Sequence, residues 1–447
     1  PPAVTASQRA QLERVIHRKL LANGLEVIVV ENHGVPLATI EIDVRNGAFT
    51  QTPEFAGLAH LYEHMFFKAN ATYAEPEAFV QRASALGAVF NGTTREEVVN
   101  YYLTLHTDSL EGGMRFVAAA LRTPLFLEDE MVREREVVIG EYDRAESSPF
   151  FRLTREMDRR LYSPAYYSRK NTIGDRDVVR TATPAKMREI QRRYYVPNNC
   201  ALIVAGDVDP ERVFALAERV FGDWPRGPDP FVESPVPPVP PLAGSSGLIV
   251  EEPIQDVIVL VQWQGPSARE DPQATYAADV FSDVLNNSTS TLQRRLVDSG
   301  LFQGVGVNYY TLNNVGPISI SGQTTPDRLR EALAALDVEI AKLADPGYYT
   351  TADLEPVKRQ RAVGTMLNLE RASGFAHQLG FWWSVTGLDY FMGYVDNMAS
   401  QTVADLQGYA RKYIVGKPRV IGILISPEAR ERLRLTEAEL VKPAVAQ

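Results

Sequence analysis

An α+β protein made of two homologous domains, each a mostly antiparallel sheet covered by helices, is what this sequence predicts. Three observations point there. A proline-rich stretch divides the 447 residues near their middle. The two parts close with the same succession of helix, apolar strand and helix. Strands also come in runs followed by runs of helices, which favours α+β over a strictly alternating parallel sheet.

The divider runs from Trp224 to Gly247, with eight prolines and a closing Gly244-Ser245-Ser246-Gly247. Proline fixes φ and removes a backbone donor, so the stretch reads as a linker. Domains are therefore expected at 1–225 and 248–447, joined by a linker at 226–247. The repeat is clearest where the domains end. Met187 to Val196 reads as a helix, followed by the strand Ala201-Leu202-Ile203-Val204-Ala205-Gly206-Asp207 and a helix from Pro210. Leu406 to Val415, Arg419 to Ile425 and a helix from Pro427 repeat that order, with an aromatic-Val hinge after each first helix. An internal duplication explains both. Near the start, Leu20 to Val30 reads as a hairpin about Asn23-Gly24, the strongest short turn signal. Pro36 to Arg45 alternates as a strand. Helices are expected over Phe55–Phe67 and Pro76–Leu86, strands over Val89–Thr93 and Val98–Leu105, and long helices after them.

Composition narrows the function. The chain is 45% hydrophobic and 23% charged with a net charge of −10, which suits a folded protein with a solubilising acidic surface and argues against a nucleic-acid or anionic-membrane surface. No apolar run approaches the roughly 18 residues of a membrane span. Cys200 is the only cysteine, so no internal disulfide can form and any metal must be held by His, Asp and Glu. Its setting in Asn199-Cys200-Ala201-Leu202-Ile203-Val204 reads as an inert, buried strand position. The chain begins at Pro1 rather than Met, as removal of a secretory signal or a trimmed end would give. A periplasmic or otherwise exported location follows from the first, a cytoplasmic one remains open.

The chemistry concentrates in Gly57-Leu58-Ala59-His60-Leu61-Tyr62-Glu63-His64-Met65-Phe66-Phe67. On a helix, His60 and His64 share a face, so both imidazoles can reach one ion. Glu63 is rotated from that line and can touch a metal-bound water. Zinc lowers the pKa of such a water towards 7, and a carboxylate beside it can take the proton. A catalytic zinc needs a third protein ligand. The best candidates lie in Glu134-Arg135-Glu136-Val137-Val138-Ile139-Gly140-Glu141, where Glu134 and Glu141 stand two helical turns apart and face the same way. By itself that block is a solvated charge run.

His60-x-x-Glu63-His64, with Glu141 seventy-seven residues beyond, resembles the motif of the inverzincins, the pitrilysin or M16 peptidases. Phe90-Asn91-Gly92-Thr93-Thr94 through Tyr101-Tyr102 is similar to the family's Asn-Ala-x-Thr-Ser segment with its paired tyrosines. Glu134 to Glu141 is similar to its Glu-Arg-x-Val-Ile-x-x-Glu signature. The resemblance covers essentially the whole chain and is to the short, two-domain branch that includes the mitochondrial processing peptidase and its bacterial relatives. It implies one zinc per chain on His60, His64 and Glu141, with Glu63 as general base. Glu134 would be a catalytic carboxylate that orients a ligand histidine or the water. Asn91, with Phe90 beside it, would lie on a strand that pairs with an extended peptide substrate. Tyr101 and Tyr102 would pack under the site. The fold would be one half of a clam-like chamber.

The second domain departs from the family. Complete members carry a Ser-Arg-Leu segment there and a tyrosine about thirteen residues after the Arg, which hold substrate. Thr291 stands where the Arg belongs and Gln303 where the Tyr belongs. Arg294, Arg295, Tyr309 and Tyr310 are near but out of register. Asn286-Asn287-Ser288-Thr289 replaces the glycine-rich loop of the noncatalytic partner in processing peptidases. A zinc-carrying subunit of a heterodimer, whose homologous partner supplies the Arg and Tyr, is the expectation; a homodimer is the alternative. Against an endopeptidase subunit stand a noncatalytic core subunit of a larger complex, and a chaperone that only encloses peptides. Core subunits typically lack part of the zinc set, and this chain keeps His60, Glu63, His64 and Glu141.

Overall fold

A computed structural model describes residues 8–442 except Pro76, which leaves Pro1 and the first residue of the expected Pro76–Leu86 helix outside the described residues. Eleven strands form among them: β1 (Ile16–Leu20), β2 (Glu26–Glu31), β3 (Leu37–Val44), β4 (Val89–Thr94), β5 (Val99–His106), β6 (Cys200–Gly206), β7 (Ser246–Glu251), β8 (Val257–Gln264), β9 (Gly304–Tyr309), β10 (Pro317–Thr324) and β11 (Val420–Ile425). They make two sheets, ordered β1-β2-β6-β3-β5-β4 and β7-β11-β8-β10-β9. In the first, only β2 and β6 run parallel; in the second, only β7 and β11 do. Strand for strand, the second sheet repeats the first without a counterpart of β1. The duplication read from the apolar strands at 201–207 and 419–425 is this pairing, since β6 and β11 are the repeated central strands. Every residue of both is buried, which is why they are continuously apolar rather than alternating.

The hairpin forms where Asn23-Gly24 placed it. Gly24 takes φ +93°, open to glycine, and Asn23 Nδ2 donates to the carbonyls of Phe221 and Trp224. The Phe55–Phe67 helix is shorter than expected, Leu58–Phe66, after a 3₁₀ turn at Pro53–Phe55, and the next helix covers Ala78–Ala85.

In place of contiguous halves at 1–225 and 248–447, the two compact units are interleaved. The first comprises the described residues up to Arg144, Ser168–Pro237 and Thr365–Gly393; the second comprises Ala145–Tyr167, Pro238–Gly364 and the described residues from Tyr394. The change at Pro237 falls inside the proline-rich stretch. The physical reason for the interleaving is that each sheet has a second apolar face to cover. In the first unit, Ile28, Val30, Ala201, Ile203 and Ala205 are covered by Phe375, Ala376, Leu379 and Trp383 of the helix Ala372–Val385. In the second, Leu248, Leu260, Val420 and Leu424 are covered by Leu153, Met157 and Leu161 of the helix Pro149–Leu161. Among the described residues no helix is long and apolar enough to cross a membrane.

Candidate metal centre

The helix Leu58–Phe66 buries Leu58, Leu61, Tyr62 and Met65, an i, i+3, i+4, i+7 ridge, and leaves His60, Glu63 and His64 half-buried on the other side. Its start is tightly specified. Gly57 takes φ +92°, and a β-carbon there would sit 2.8 Å from the Ile173 carbonyl oxygen. With no capping side chain at that glycine, Gln51 Oε1 accepts from the Gly57 N–H at 2.8 Å while its Nε2 donates to the Ser168 carbonyl at 2.9 Å.

The helix Glu128–Glu146 crosses beside it and is registered by its own acids. Buried Glu130 accepts from the Ala69 N–H at 3.3 Å, just past the motif helix, and the Leu125 N–H donates to the Ala69 carbonyl at 3.0 Å. From that anchor, Glu134 and Glu141 fall on the same helical ridge. Glu141 Oε2 lies 3.4 Å from His60 Nε2 and 3.7 Å from His64 Nε2. Glu134 stands behind: Oε2 is 3.1 Å from His64 Nδ1, and Lys68 Nζ reaches Oε1 at 2.6 Å. Among the described residues His60, His64 and Glu141 are the one trio of possible ligands whose atoms gather, all within 4.8 Å of one another.

Two of these groups hold the charge state that a divalent metal needs, His60 neutral and Glu134 anionic. Burial, then the neighbouring His64, lower His60 to about 4, so it is a neutral imidazole with a free lone pair. Its Nδ1 is buried without a hydrogen-bond partner, so nothing competes for the ring through that atom. Burial alone would lower His64, but the bond to Glu134 and the charges of Glu141 and Glu63 raise it. Burial would raise Glu134, yet its bonds to His64 and Lys68 hold it below the usual carboxylate range. Glu134 is thus an anion fixed on His64 Nδ1, which leaves His64 Nε2 to face Glu141. Two imidazoles and a carboxylate are a catalytic zinc set. Glu134→Ala is expected to weaken zinc binding ~10–100-fold, the usual cost of removing an orienting partner, measured by titration with a competing chelator.

Glu63 sits at the rim of this set. Burial raises its pKa, against the lowering effect of the Thr94 hydroxyl, which donates to Oε2 at 2.7 Å. Thr94 lies on β4, the edge strand. Gly92, two residues back, lets the strand approach, since a β-carbon there would lie 2.9 Å from Glu63 Cγ and 3.1 Å from a Phe67 ring atom. Strand alternation puts Phe90 on this same face, and its ring packs against Phe67 and Phe79 with centroids 5.2 and 5.5 Å away. Asn91 faces the opposite side of the sheet and is exposed, its Oδ1 accepting from the Gly92 N–H. The site therefore gathers His60, Glu63, His64, Glu134 and Glu141, with Asn91 on the adjacent free edge and Phe90 in the aromatic cluster. Tyr101 packs beneath, stacked on Phe66 at 3.6 Å and bonded to the Tyr195 hydroxyl at 2.6 Å, whereas Tyr102 lies on the far face.

Sequence reasoning missed Lys68, Thr94, Gly92 and Glu130. Lys68 had a signal, since it follows His64 by one helical turn. In the second unit, taken by itself, the out-of-register residues have other work. The buried Tyr309 hydroxyl donates to the Pro266 carbonyl at 2.9 Å, and Arg295 pairs with buried Glu339 at 2.9 Å. Gln303 and Arg294 are exposed.

The chain is similar to known proteins along most of its length. Residues 26–172 match the family described as insulinase (peptidase family M16), and residues 181–361 match the peptidase M16 inactive domain. The zinc protease PqqE of Helicobacter pylori is 26% identical over 426 residues, covering 91% of this chain and 92% of its own. The crystal structure of a protease from Helicobacter pylori superposes with a TM-score of 0.82 at 22% identity, over 92% of this chain and 99% of that one. That of the periplasmic protease PqqL from Escherichia coli does so with 0.78 at 18% identity, over 96% of this chain but 49% of the other. By these two domain matches, which together span well over half its length, the chain belongs to the peptidase M16 family.

Proposed function

We propose that the protein is the zinc-carrying subunit of an endopeptidase that hydrolyses peptides or unstructured polypeptides. The observation that carries this is the convergence of His60 Nε2, His64 Nε2 and Glu141 Oε2 with the Glu63 carboxylate alongside. One zinc per chain on those three residues would supply Lewis acidity to the scissile carbonyl and to water. Glu63 accepts the proton of the attacking water and returns it to the leaving amine, and Thr94 aims its carboxylate. Glu134, between His64 and Lys68, holds the histidine. Completeness of this set favours an enzyme over a noncatalytic core subunit. Among the described residues β4 pairs only with β5 and so has a free edge, and an extended peptide adding there would run past Asn91.

The second part of the reading is a homologous partner. Thr291 and Gln303 cannot supply an Arg and a Tyr, and Tyr309 and Arg295 are engaged elsewhere, which supports a heterodimer over a homodimer. PqqL, in which a match to this chain fills about half of a longer chain, supports a working unit of twice this size. An exported setting, suggested by the same likeness to a periplasmic protease, goes with it. One experiment tests both parts: assay a peptide library with the chain alone and with co-expressed neighbouring gene products, quantifying zinc in each sample. The expected result is one chelatable zinc per chain in both, with full hydrolysis only in the complex. Absence of zinc that added zinc does not restore would overturn the metal assignment. Full specific activity from this chain alone, abolished by Arg294→Ala, would overturn the heterodimer.

A further inference from the structure

On the sheet face away from the metal centre is an acid that the chemistry above does not use. Asp43, on β3, is fully buried, and neither carboxyl oxygen has a hydrogen-bond partner. It presses on the helix Ala372–Val385 at Gly380, where a β-carbon would overlap the carboxyl group. Two residues away on the same strand, Glu41 is equally buried but satisfied. Asn100 Nδ2 donates to its Oε1, and His377 of the covering helix bonds its Oε2 through Nδ1, both at 2.5 Å.

The other titratable and charged groups around Asp43 are also committed. Arg45, further along β3, stacks on Trp383 with its guanidinium carbon 3.9 Å from the ring centre and donates to the Trp383 carbonyl. Glu26 on β2 accepts from Trp383 Nε1 at 2.8 Å. Cys200 on β6 is a buried free thiol whose ionisation burial suppresses. A bound metal does not account for the acid, because among the described residues only the His60, His64 and Glu141 trio gathers three ligand atoms. An unpaired carboxylate in such a place is costly, and a neutral carboxylic acid much less so.

We propose that the helix Ala372–Val385 is a proton-linked latch, docked on the sheet while Asp43 is a neutral acid and loosened when Asp43 ionises. Burial first, and the charge of Glu41 second, push this carboxyl well above its usual range. The sign follows. An acid raised in the folded state contributes docking stability that is complete below its ordinary value near about 4 and is lost as pH climbs through the raised value. The latch also reaches the site. His377 lies on the Tyr102 ring at 4.3 Å, and Tyr102 is the direct cross-strand partner of Asn91 on β4.

The test is hydrogen–deuterium exchange of the full chain between about pH 5 and about pH 9, corrected for intrinsic exchange rates. Peptides covering 372–385 are expected to open more with rising pH, by up to ~10-fold per pH unit for one linked proton. Asp43→Asn, which mimics the neutral acid, is expected to flatten that slope. A flat wild-type profile, or a slope that survives Asp43→Asn, would overturn the proposal. Should Asp43→Asn not fold, His377→Gln decides: the slope must persist there, and its loss would assign the titration to His377 and end the proposal.

Discussion

Replacing Glu63 by glutamine is expected to leave zinc bound at one per chain while peptide turnover falls ~10²–10⁴-fold. The amide has nearly the shape of the carboxylate and can still take the Thr94 hydroxyl as a donor at Oε1, so the rim of the site need not rearrange. It cannot accept a proton. The ligand atoms of His60, His64 and Glu141 belong to other side chains, so metal content and turnover separate cleanly in this variant. Metal quantification beside steady-state hydrolysis checks it, and near-normal turnover would remove Glu63 from its role. The raised carboxyl of Glu63 makes the same point from another side: a base held partly desolvated is closer in pKa to the water it must deprotonate than a solvent-exposed glutamate is.

Glu141→Ala is expected to cost more in metal affinity than the ~100-fold upper range for an orienting partner, because it deletes a ligand rather than its support. Apart from Glu63, which has its own role, Glu134 is among the described residues the acid to consider as a substitute. It is tied at both oxygens, to His64 Nδ1 and to Lys68 Nζ, and taking over would release the histidine that it aligns. Zinc titration of the variant against a competing chelator gives the answer. Full occupancy would mean that the third ligand lies elsewhere, with Glu134 the first to examine.

Much of this was legible because it depends on local pattern. Asn23-Gly24 can make a hairpin turn, His60 and His64 can share a helical face, and β6 and β11 are apolar on both sides because both sides are covered. The helix exchange was not legible. An amphipathic stripe on Pro149–Leu161 or Ala372–Val385 says that the helix must pack, but nothing in the stripe names the sheet. The support of the site was hidden for a related reason. Glu130, Glu134, Glu136 and Glu141 look alike within one charged run, and only the anchoring of Ala69 separates a buried acid from a solvated one. Position on β4 is an intermediate case. Strand alternation sends Phe90, Gly92 and Thr94 to one face and Asn91 to the other, yet which face meets Glu63 depends on where the motif helix lands.

The covering of the first sheet by Ala372–Val385 also dictates an order of events during synthesis. Glu41 and its partner His377 are 336 residues apart in the chain. While the ribosome is still making the second unit, one side of the first sheet, with Ile28, Val30, Ala201, Ile203 and Ala205, has no lid. The nascent first unit therefore carries an uncovered apolar face from the synthesis of β6, Cys200–Gly206, until the helix Ala372–Val385 has been made. Such a distant closure belongs to slow folding of high contact order, and the exposed interval is when the chain is most open to wrong association.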